Sequence, residues 1–143
     1  MATQRKAEVV WEGGLAHGTG TIVSNTSGAL PELPVSWPSR SEEPNGQTSP
    51  EELIAAAHAA CYAMALSHEL GEAGHEPERL ETSSTVTFQP GEGIKSSALT
   101  VRATVPGVDA DEFARIAEGA KAGCPVSEAL AGIEITLDAQ LAG

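Results

Sequence analysis

The segment that most constrains the fold runs from Thr48 to Leu70 and reads TSPEELIAAAHAACYAMALSHEL. Between residues 54 and 66 its side chains are almost all apolar, and the exceptions are His58, Cys61 and the hydroxyl of Tyr62. A helix that is apolar all round belongs in the core of a protein. We therefore predict a helix here that is buried on all sides.

Both ends of this helix carry residues that favour a helix start or stop. Ser49 is a good N-cap, Pro50 suits the first helical position, and Glu51 complements the positive end of the helix dipole. Gly71 or Gly74 can end the helix. The spacing thus predicts one helix that fills almost the whole segment.

The rest of the chain alternates between strand and helix patterns, and a long loop rich in proline precedes the apolar helix. We predict strands at 6–12, 18–24, 80–90, 95–106 and 133–141, an edge strand near 29–37, and helices at 110–123 and 125–132. This order predicts one α+β domain over residues 1–143, with a mostly antiparallel sheet around at least one buried helix.

The charge of the chain excludes several classes of partner. With 20 acidic and 8 basic residues, the formal net charge is −12 at pH 7. Binding of nucleic acid requires clustered Lys and Arg, and anionic membranes repel an acidic surface. No apolar run reaches the ~18 residues of a membrane span, and the first residues lack the apolar core of a signal peptide. We predict a cytoplasmic protein with neither a nucleic acid nor a membrane as partner.

The two cysteines, Cys61 and Cys124, are the strongest candidates for chemistry. Cytoplasmic thiols are normally reduced, so a reactive, metal-binding or simply buried pair is favoured over a static disulfide. Cys124 falls where one predicted helix ends and the next begins, and the positive end of a helix favours a thiolate. Two unrelated buried cysteines are an equal alternative, because redox chemistry requires that the two sulfurs meet in the fold.

Three other side chains could assist a reactive thiol. Burial disfavours a thiolate unless a cation is near, and Arg40 lies in the loop before the helix. Glu51 could fix the guanidinium, although a solvated arginine and a helix-start glutamate are the simpler interpretation. His58, one turn from Cys61, could be a base, a hydrogen-bond partner, a metal ligand or a satisfied core histidine. The segment HELGEAGH at 68–75 lacks the spacing of a zinc-protease helix.

Four segments resemble the OsmC/Ohr family of thiol-dependent peroxidases: VVWEGG, SPEELIAAAHAACYAMALS, KAGCPVSEAL and EITLDAQL. The resemblance covers essentially the whole chain. AAHAAC and CPVS resemble the OsmC branch, whereas the Ohr branch more often has Tyr at the position of His58. The resemblance implies an OsmC-like fold, in which antiparallel β-sheets wrap two central helices in an intertwined homodimer with active sites at the subunit interface.

The resemblance also implies a reaction and a role for each site residue. Cys61 would attack an organic hydroperoxide or hydrogen peroxide and become a sulfenic acid, and Cys124 would condense with it to a disulfide. An external dithiol, in the family often a dihydrolipoyl protein, would reduce the disulfide. Arg40 would activate the thiolate and Glu51 would orient Arg40. No cofactor and no metal are implied.

One departure from the family concerns the surroundings of Arg40. OsmC proteins commonly carry an aromatic residue on each side of that arginine. Here Trp37 keeps the first aromatic, while Ser41 replaces the second. We expect a more open or more polar pocket, lined by Trp37 and with His58 lining or supporting it.

Two other functions fit parts of the same pattern. A metal-binding module could use His58, Cys61 and Cys124, with Glu51 as a fourth ligand. A redox sensor could form the same disulfide and signal to a partner with negligible turnover. Metal content and turnover with a reducing system would distinguish the three functions.

Overall fold

The computed structural model of the protein describes residues 1–142 and confirms the α+β class. The elements are β1 Ala7–Glu12, β2 Thr19–Asn25, β3 Leu33–Val35, α1 Trp37–Ser41, α2 Pro50–Glu72, β4 Arg79–Gln89, β5 Gly93–Thr104, α3 Ala110–Gly123, α4 Pro125–Ala129 and β6 Glu134–Leu141. They form two compact units, Met1–Leu53 and a second that begins at Ile54. None of the helices in the described residues is long and apolar enough to cross a membrane.

The first unit is built on a three-stranded antiparallel sheet in the order β1-β2-β3. Gly20 of β2 lies opposite Trp11, and a Cβ at Gly20 would lie 2.7 Å from that indole ring. A Cβ at Gly18 would lie 2.4 Å from the carbonyl oxygen of Gly14. The glycines of the GTG segment are therefore explained by close packing within this sheet.

A short helix, α1, follows β3 where the sequence pattern predicted only strand and loop. Ser36 caps it: the Ser36 hydroxyl accepts from the amide of Ser39, and the Ser39 hydroxyl accepts from the amide of Ser36. Ser41 ends the helix by donating its hydroxyl to the carbonyl of Trp37 at 2.8 Å. The predicted edge strand is therefore reduced to β3, and Arg40 lies in a helix rather than in a loop.

The ends of α2 follow the predicted signals. The amide of Glu52 donates to the Ser49 hydroxyl at 3.1 Å, as expected of an N-cap. At the other end Gly74 adopts a left-handed φ of 84°, and the amide of His75 donates to the carbonyl of Leu70 at 2.8 Å. A left-handed glycine just past a helix is a common C-terminal cap.

The prediction that α2 is buried on all sides is wrong for the single chain. One stripe is fully buried, and it consists of His58, Tyr62, Leu66 and Leu70, spaced four residues apart. The opposite face is exposed, and it carries Ala56, Ala57, Ala60 and Met64. The second unit packs only one side of the helix, so the small apolar side chains of the other face remain in contact with solvent.

The second unit places α2 and α3 against a sheet in the order β4-β5-β6. β4 and β5 form the predicted antiparallel hairpin, but β6 pairs with β5 in parallel. Parallel neighbours need a crossover connection, and α3 and α4 supply it. Leu99, Val101 and Ala103 of β5 are buried beneath Phe113 and Ala117 of α3. Aliphatic side chains dominate this core, as the low aromatic content required.

Candidate active site

Cys124 lies at the junction of two helices, as the sequence predicted. It is the C-cap of α3, where its amide donates to the carbonyl of Ala120, and the N-cap of α4, where Pro125 takes the first helical position. Its side chain is fully buried. Burial by itself raises the pKa of this thiol, but polar neighbours outweigh it: the side chains of Cys61 and Ser127 and the amides of Ser127 and Val126 all favour the thiolate. The net pKa of Cys124 is lowered.

The side chains of Cys61 and Cys124 lie next to each other, as a redox reaction between the two sulfurs requires. They lie within hydrogen-bonding reach of each other, and both cysteines are free. The pKa of Cys61 is raised, first by burial, then by its interaction with the side chain of Cys124 and by negative charge there, while the amide of Val126 opposes the rise. The pKa values of the two thiols are therefore shifted in opposite directions.

Cys61 opens into a pocket between α2 and α3, whereas Cys124 does not line it. The pocket has a volume of about 400 Å³. Its walls are mainly apolar and come from Met64 and Ala65 of α2 and Ala120 and Pro125 at the far side. A site of this size and polarity suits a small organic molecule with an apolar body.

His58 is a fully buried histidine whose two ring nitrogens both have partners. Nδ1 lies 2.6 Å from the hydroxyl of Ser97 on β5, and Nε2 lies 2.8 Å from the hydroxyl of Ser127 on α4. Burial lowers the pKa of His58, so the ring is neutral near pH 7. His58 is therefore a core histidine whose hydrogen bonds are satisfied, which is one of the roles that the sequence left open.

The metal-binding hypothesis requires His58, Cys61 and Cys124 to converge on one ion. Within residues 1–142 no group of three His, Cys, Asp or Glu side chains is arranged to hold a metal ion. His68 and His75 of the HELGEAGH segment are separated by the end of α2, and Nε2 of His75 lies 2.7 Å from a carboxylate oxygen of Glu112. His58, which the metal hypothesis needs, is held by two hydroxyl groups.

Sequence reasoning missed the serines that surround His58. Ser97 lies in phase with Leu99 and Val101 on the buried face of β5, and a polar side chain in such a row signals a buried partner. Ser84 on β4 continues the network, with its hydroxyl 2.8 Å from that of Ser97. Ser127 had a weaker signal, as the third residue after Cys124 at the start of α4.

Arg40, Glu51 and Trp37 all belong to the first unit and form one cluster there. The Nε atom of Arg40 donates to both carboxylate oxygens of Glu51, at 3.0 and 3.1 Å, and Nη2 donates at 2.8 Å. The carboxylate is 8% exposed and the guanidinium side chain 30% exposed, so this pair is better shielded than a surface ion pair. The Arg40 guanidinium carbon lies 6.0 Å from the centre of the Trp37 ring.

Two hydrogen-bonded thiols beside an apolar pocket, carried by an α+β chain, are typical of thiol redox proteins. The sequence matches the family model described as OsmC-like protein over residues 43–138. It is 47% identical over 144 residues to peroxiredoxin OsmC of Escherichia coli K12, and the match covers 99% of both chains. This chain belongs to the OsmC-like family, which confirms the resemblance drawn from its motifs.

Solved structures place the fold in the same family. An organic hydroperoxide resistance protein OsmC from Legionella pneumophila is 26% identical with a TM-score of 0.67, over 94% of this chain and 96% of that one. OhrB, the organic hydroperoxide resistance protein of Bacillus subtilis, is 26% identical with a TM-score of 0.62, over 96% and 98%. An OsmC-like protein from Mycoplasma pneumoniae has a TM-score of 0.73 at 15% identity over the whole of both chains, which shows the fold alone.

Proposed function

We propose that this protein is a cysteine-based peroxidase that reduces organic hydroperoxides, and hydrogen peroxide, to alcohols or water. The observation that carries the proposal is the contact between Cys61 and Cys124, with Cys61 facing an apolar pocket. A relative that is 47% identical is named a peroxiredoxin, and two solved relatives are named for resistance to organic hydroperoxides. The apolar walls suit the carbon chain of an organic hydroperoxide.

Access supports Cys61 as the residue that performs the first chemical step. Cys61 is half-buried and lines the pocket, whereas Cys124 is fully buried. The Cys61 thiolate attacks the terminal peroxide oxygen, the O–O bond breaks, and the alkoxide leaves and takes up a proton to become the alcohol. Cys61 is then a sulfenic acid.

Cys124 completes the cycle from its position against Cys61. Its thiolate attacks the sulfur of the sulfenic acid, which forms the disulfide and releases hydroxide that is protonated to water. An external dithiol then reduces the disulfide by thiol exchange. We propose a dihydrolipoyl protein in this role, because the family often uses one.

Arg40 and Glu51 are the proposed activating pair. The groups that act on Cys61 within the second unit raise its pKa overall, so a cation is needed to favour its thiolate. Glu51 holds the Arg40 guanidinium through three hydrogen bonds, which fixes the orientation of the guanidinium. Trp37 packs near the same guanidinium and is proposed to line the substrate site.

The exposed apolar surface supports a homodimer. Every residue of β1 is exposed, including Val9 at 56%, Val10 at 50% and Trp11 at 40%. On α2, Met64 is 72% exposed beside a row of alanines. A strand and a helix with such faces are normally covered, and a second copy of the chain would cover them. We also propose a cytoplasmic location, where thiols are kept reduced.

The direct test is intact-mass analysis of the reduced protein after one equivalent of cumene hydroperoxide. We expect a rapid loss of two hydrogens, with peptide mapping that links Cys61 to Cys124. Two unreacted thiols would contradict the peroxidase proposal. Sustained peroxide consumption with a dithiol would separate an enzyme from a redox sensor, which would form the disulfide but turn over negligibly.

A further inference from the structure

A row of hydrogen bonds leads from Ser127, beside Cys124, into the sheet. The Ser127 hydroxyl is one of the groups that lower the pKa of Cys124, and its oxygen lies 2.8 Å from Nε2 of His58. Nδ1 of His58 lies 2.6 Å from the Ser97 hydroxyl, which lies 2.8 Å from that of Ser84. His58, Ser97 and Ser127 are buried, at 0%, 0% and 6% exposure, so water does not compete for these bonds.

When Cys124 is a thiolate, its charge fixes the direction of every bond in this row. A hydroxyl has one proton, and if Ser127 gives it to the Cys124 thiolate, its oxygen must accept from Nε2 of His58. A neutral imidazole has a single N–H, so Nδ1 must then accept from Ser97. The oxygen of Ser97 is left to accept from Ser84. All the donors therefore point towards Cys124.

We propose that His58 is a positioning residue for Cys124: as the Nε2–H tautomer it turns the Ser127 hydroxyl towards the Cys124 sulfur and so keeps Cys124 in the form that makes the disulfide. The proposal rests on the peroxidase function proposed above. It also explains why a histidine occupies the buried stripe of α2 together with Tyr62, Leu66 and Leu70.

The step that this row assists is the attack on the oxidised Cys61. The Cys124 thiolate and the Cys61 sulfenic acid form one S–S bond, the S–O bond breaks, and hydroxide takes a proton from solvent to leave as water. Peroxide has already supplied the oxidising equivalents. A protonated Cys124 cannot perform this attack, since the thiolate is the nucleophile.

The first test is spectroscopic and needs no peroxide. In the reduced protein, ¹⁵N NMR of the imidazole should show His58 protonated at Nε2, and the ¹³Cβ shift of Cys124 should report its titration with pH. We expect Ser127→Ala to raise the Cys124 titration midpoint by about one pH unit, the value of one hydrogen bond to a charged group. Ser127→Thr retains the hydroxyl and should titrate as the wild type does.

Variants of His58 separate positioning from packing. His58→Gln keeps an N–H near the position of Nε2 and should leave the Cys124 midpoint close to that of the wild type. His58→Leu fills similar space without a donor and should raise the midpoint. Ser83→Ala is the matched control, because Ser83 is on the same strand as Ser84 but pairs with Thr100 outside the row. Protonation at Nδ1, or an unchanged midpoint in Ser127→Ala, would overturn the proposal.

Rapid-quench kinetics at pH 6 then locates the effect in the reaction. After one equivalent of cumene hydroperoxide, Ser127→Ala should form the sulfenic acid at the normal rate but the disulfide about tenfold more slowly, because its thiolate fraction is lower. A wild type that forms neither product would refute the peroxidase function, while the NMR result would still decide the role of His58. Normal disulfide formation in Ser127→Ala would refute the positioning role alone.

Discussion

The surroundings of Cys61 and Cys124 differ although the two sulfurs touch. Cys61 is half-buried, faces an apolar pocket, and has a pKa raised chiefly by burial. Cys124 is fully buried, yet its pKa is lowered because the side chains of Cys61 and Ser127 and two nearby amides favour its thiolate. Access to substrate and stabilisation of a thiolate are therefore divided between two side chains.

This division shows why a peroxidase of this design needs both cysteines and an additional cation. In the proposed mechanism the accessible Cys61 meets peroxide first, and because its pKa is raised, a cation must favour its thiolate. Cys124 attacks only after Cys61 has become a sulfenic acid. The proposed order of the two steps agrees with the two environments.

Replacement of Cys61 or Cys124 by serine, one at a time, should have the largest effects on peroxide consumption. Cys61→Ser should abolish peroxide consumption, because it removes the accessible nucleophile. Cys124→Ser should consume one equivalent rapidly and then only the peroxide that slow over-oxidation of Cys61 requires, since no partner remains to form the disulfide. Peroxide consumption by the reduced variants, followed by intact mass, measures both outcomes.

The product in Cys124→Ser provides the control for this pair. An excess of peroxide should add two oxygens to Cys61, because an unresolved sulfenic acid is oxidised further. Full activity in Cys61→Ser, or oxidation of Cys124 in that variant, would reverse the assignment of the two roles.

Removal of the proposed cation should have a smaller effect that is confined to Cys61. Arg40→Ala should slow the first step about a hundredfold and raise the pH at which Cys61 is alkylated, because the charge that favours its thiolate is lost. Stopped-flow oxidation and alkylation across pH measure the two effects. Arg79→Ala is the matched control, since Arg79 also pairs with a glutamate but its side chain is 71% exposed. An unchanged alkylation profile in Arg40→Ala would move the role to Arg102 or Arg115.

Local signals predicted most of the fold. Ser49 and Pro50 start α2, and Pro125 starts α4 directly after Cys124, because capping depends on residues adjacent in sequence. The short helix α1 was missed since its capping box uses Ser39 in place of the usual Glu or Gln. The parallel pairing of β6 was missed because strand direction depends on the crossover and not on the strand itself.

The site was predictable only where its chemistry is carried by rare residue types. Two cysteines and one histidine in an apolar helix stand out in any sequence. Ser97 and Ser127 do not, and they lie 39 and 69 residues from His58 along the chain. Their contribution depends on packing of β5 and α4 around α2, which no local pattern encodes. The lowered pKa of Cys124 was predicted from its helix start, but its additional side-chain donors were not.

The smallest expected effect concerns stability and tests whether His58 stays neutral beside Cys124. Burial lowers the pKa of His58 in the folded protein, whereas in the unfolded chain it is near 6.5. Between these two values the unfolded chain binds a proton that the folded chain does not. The free energy of unfolding should therefore fall as pH decreases below about 6.5, by at most about 1.4 kcal/mol per pH unit from this group.

Urea unfolding of the reduced protein at pH 7.5, 6.5 and 5.5 measures this slope at fixed protein concentration. The His58→Gln variant lacks this titrating group. Its free energy of unfolding should therefore rise relative to that of the wild type as pH falls. If the free energy of unfolding changed equally with pH in the wild type and in His58→Gln, His58 would have the same pKa in the folded and the unfolded chain. The proposal that a neutral His58 donates from Nε2 to Ser127, beside Cys124, would then be contradicted.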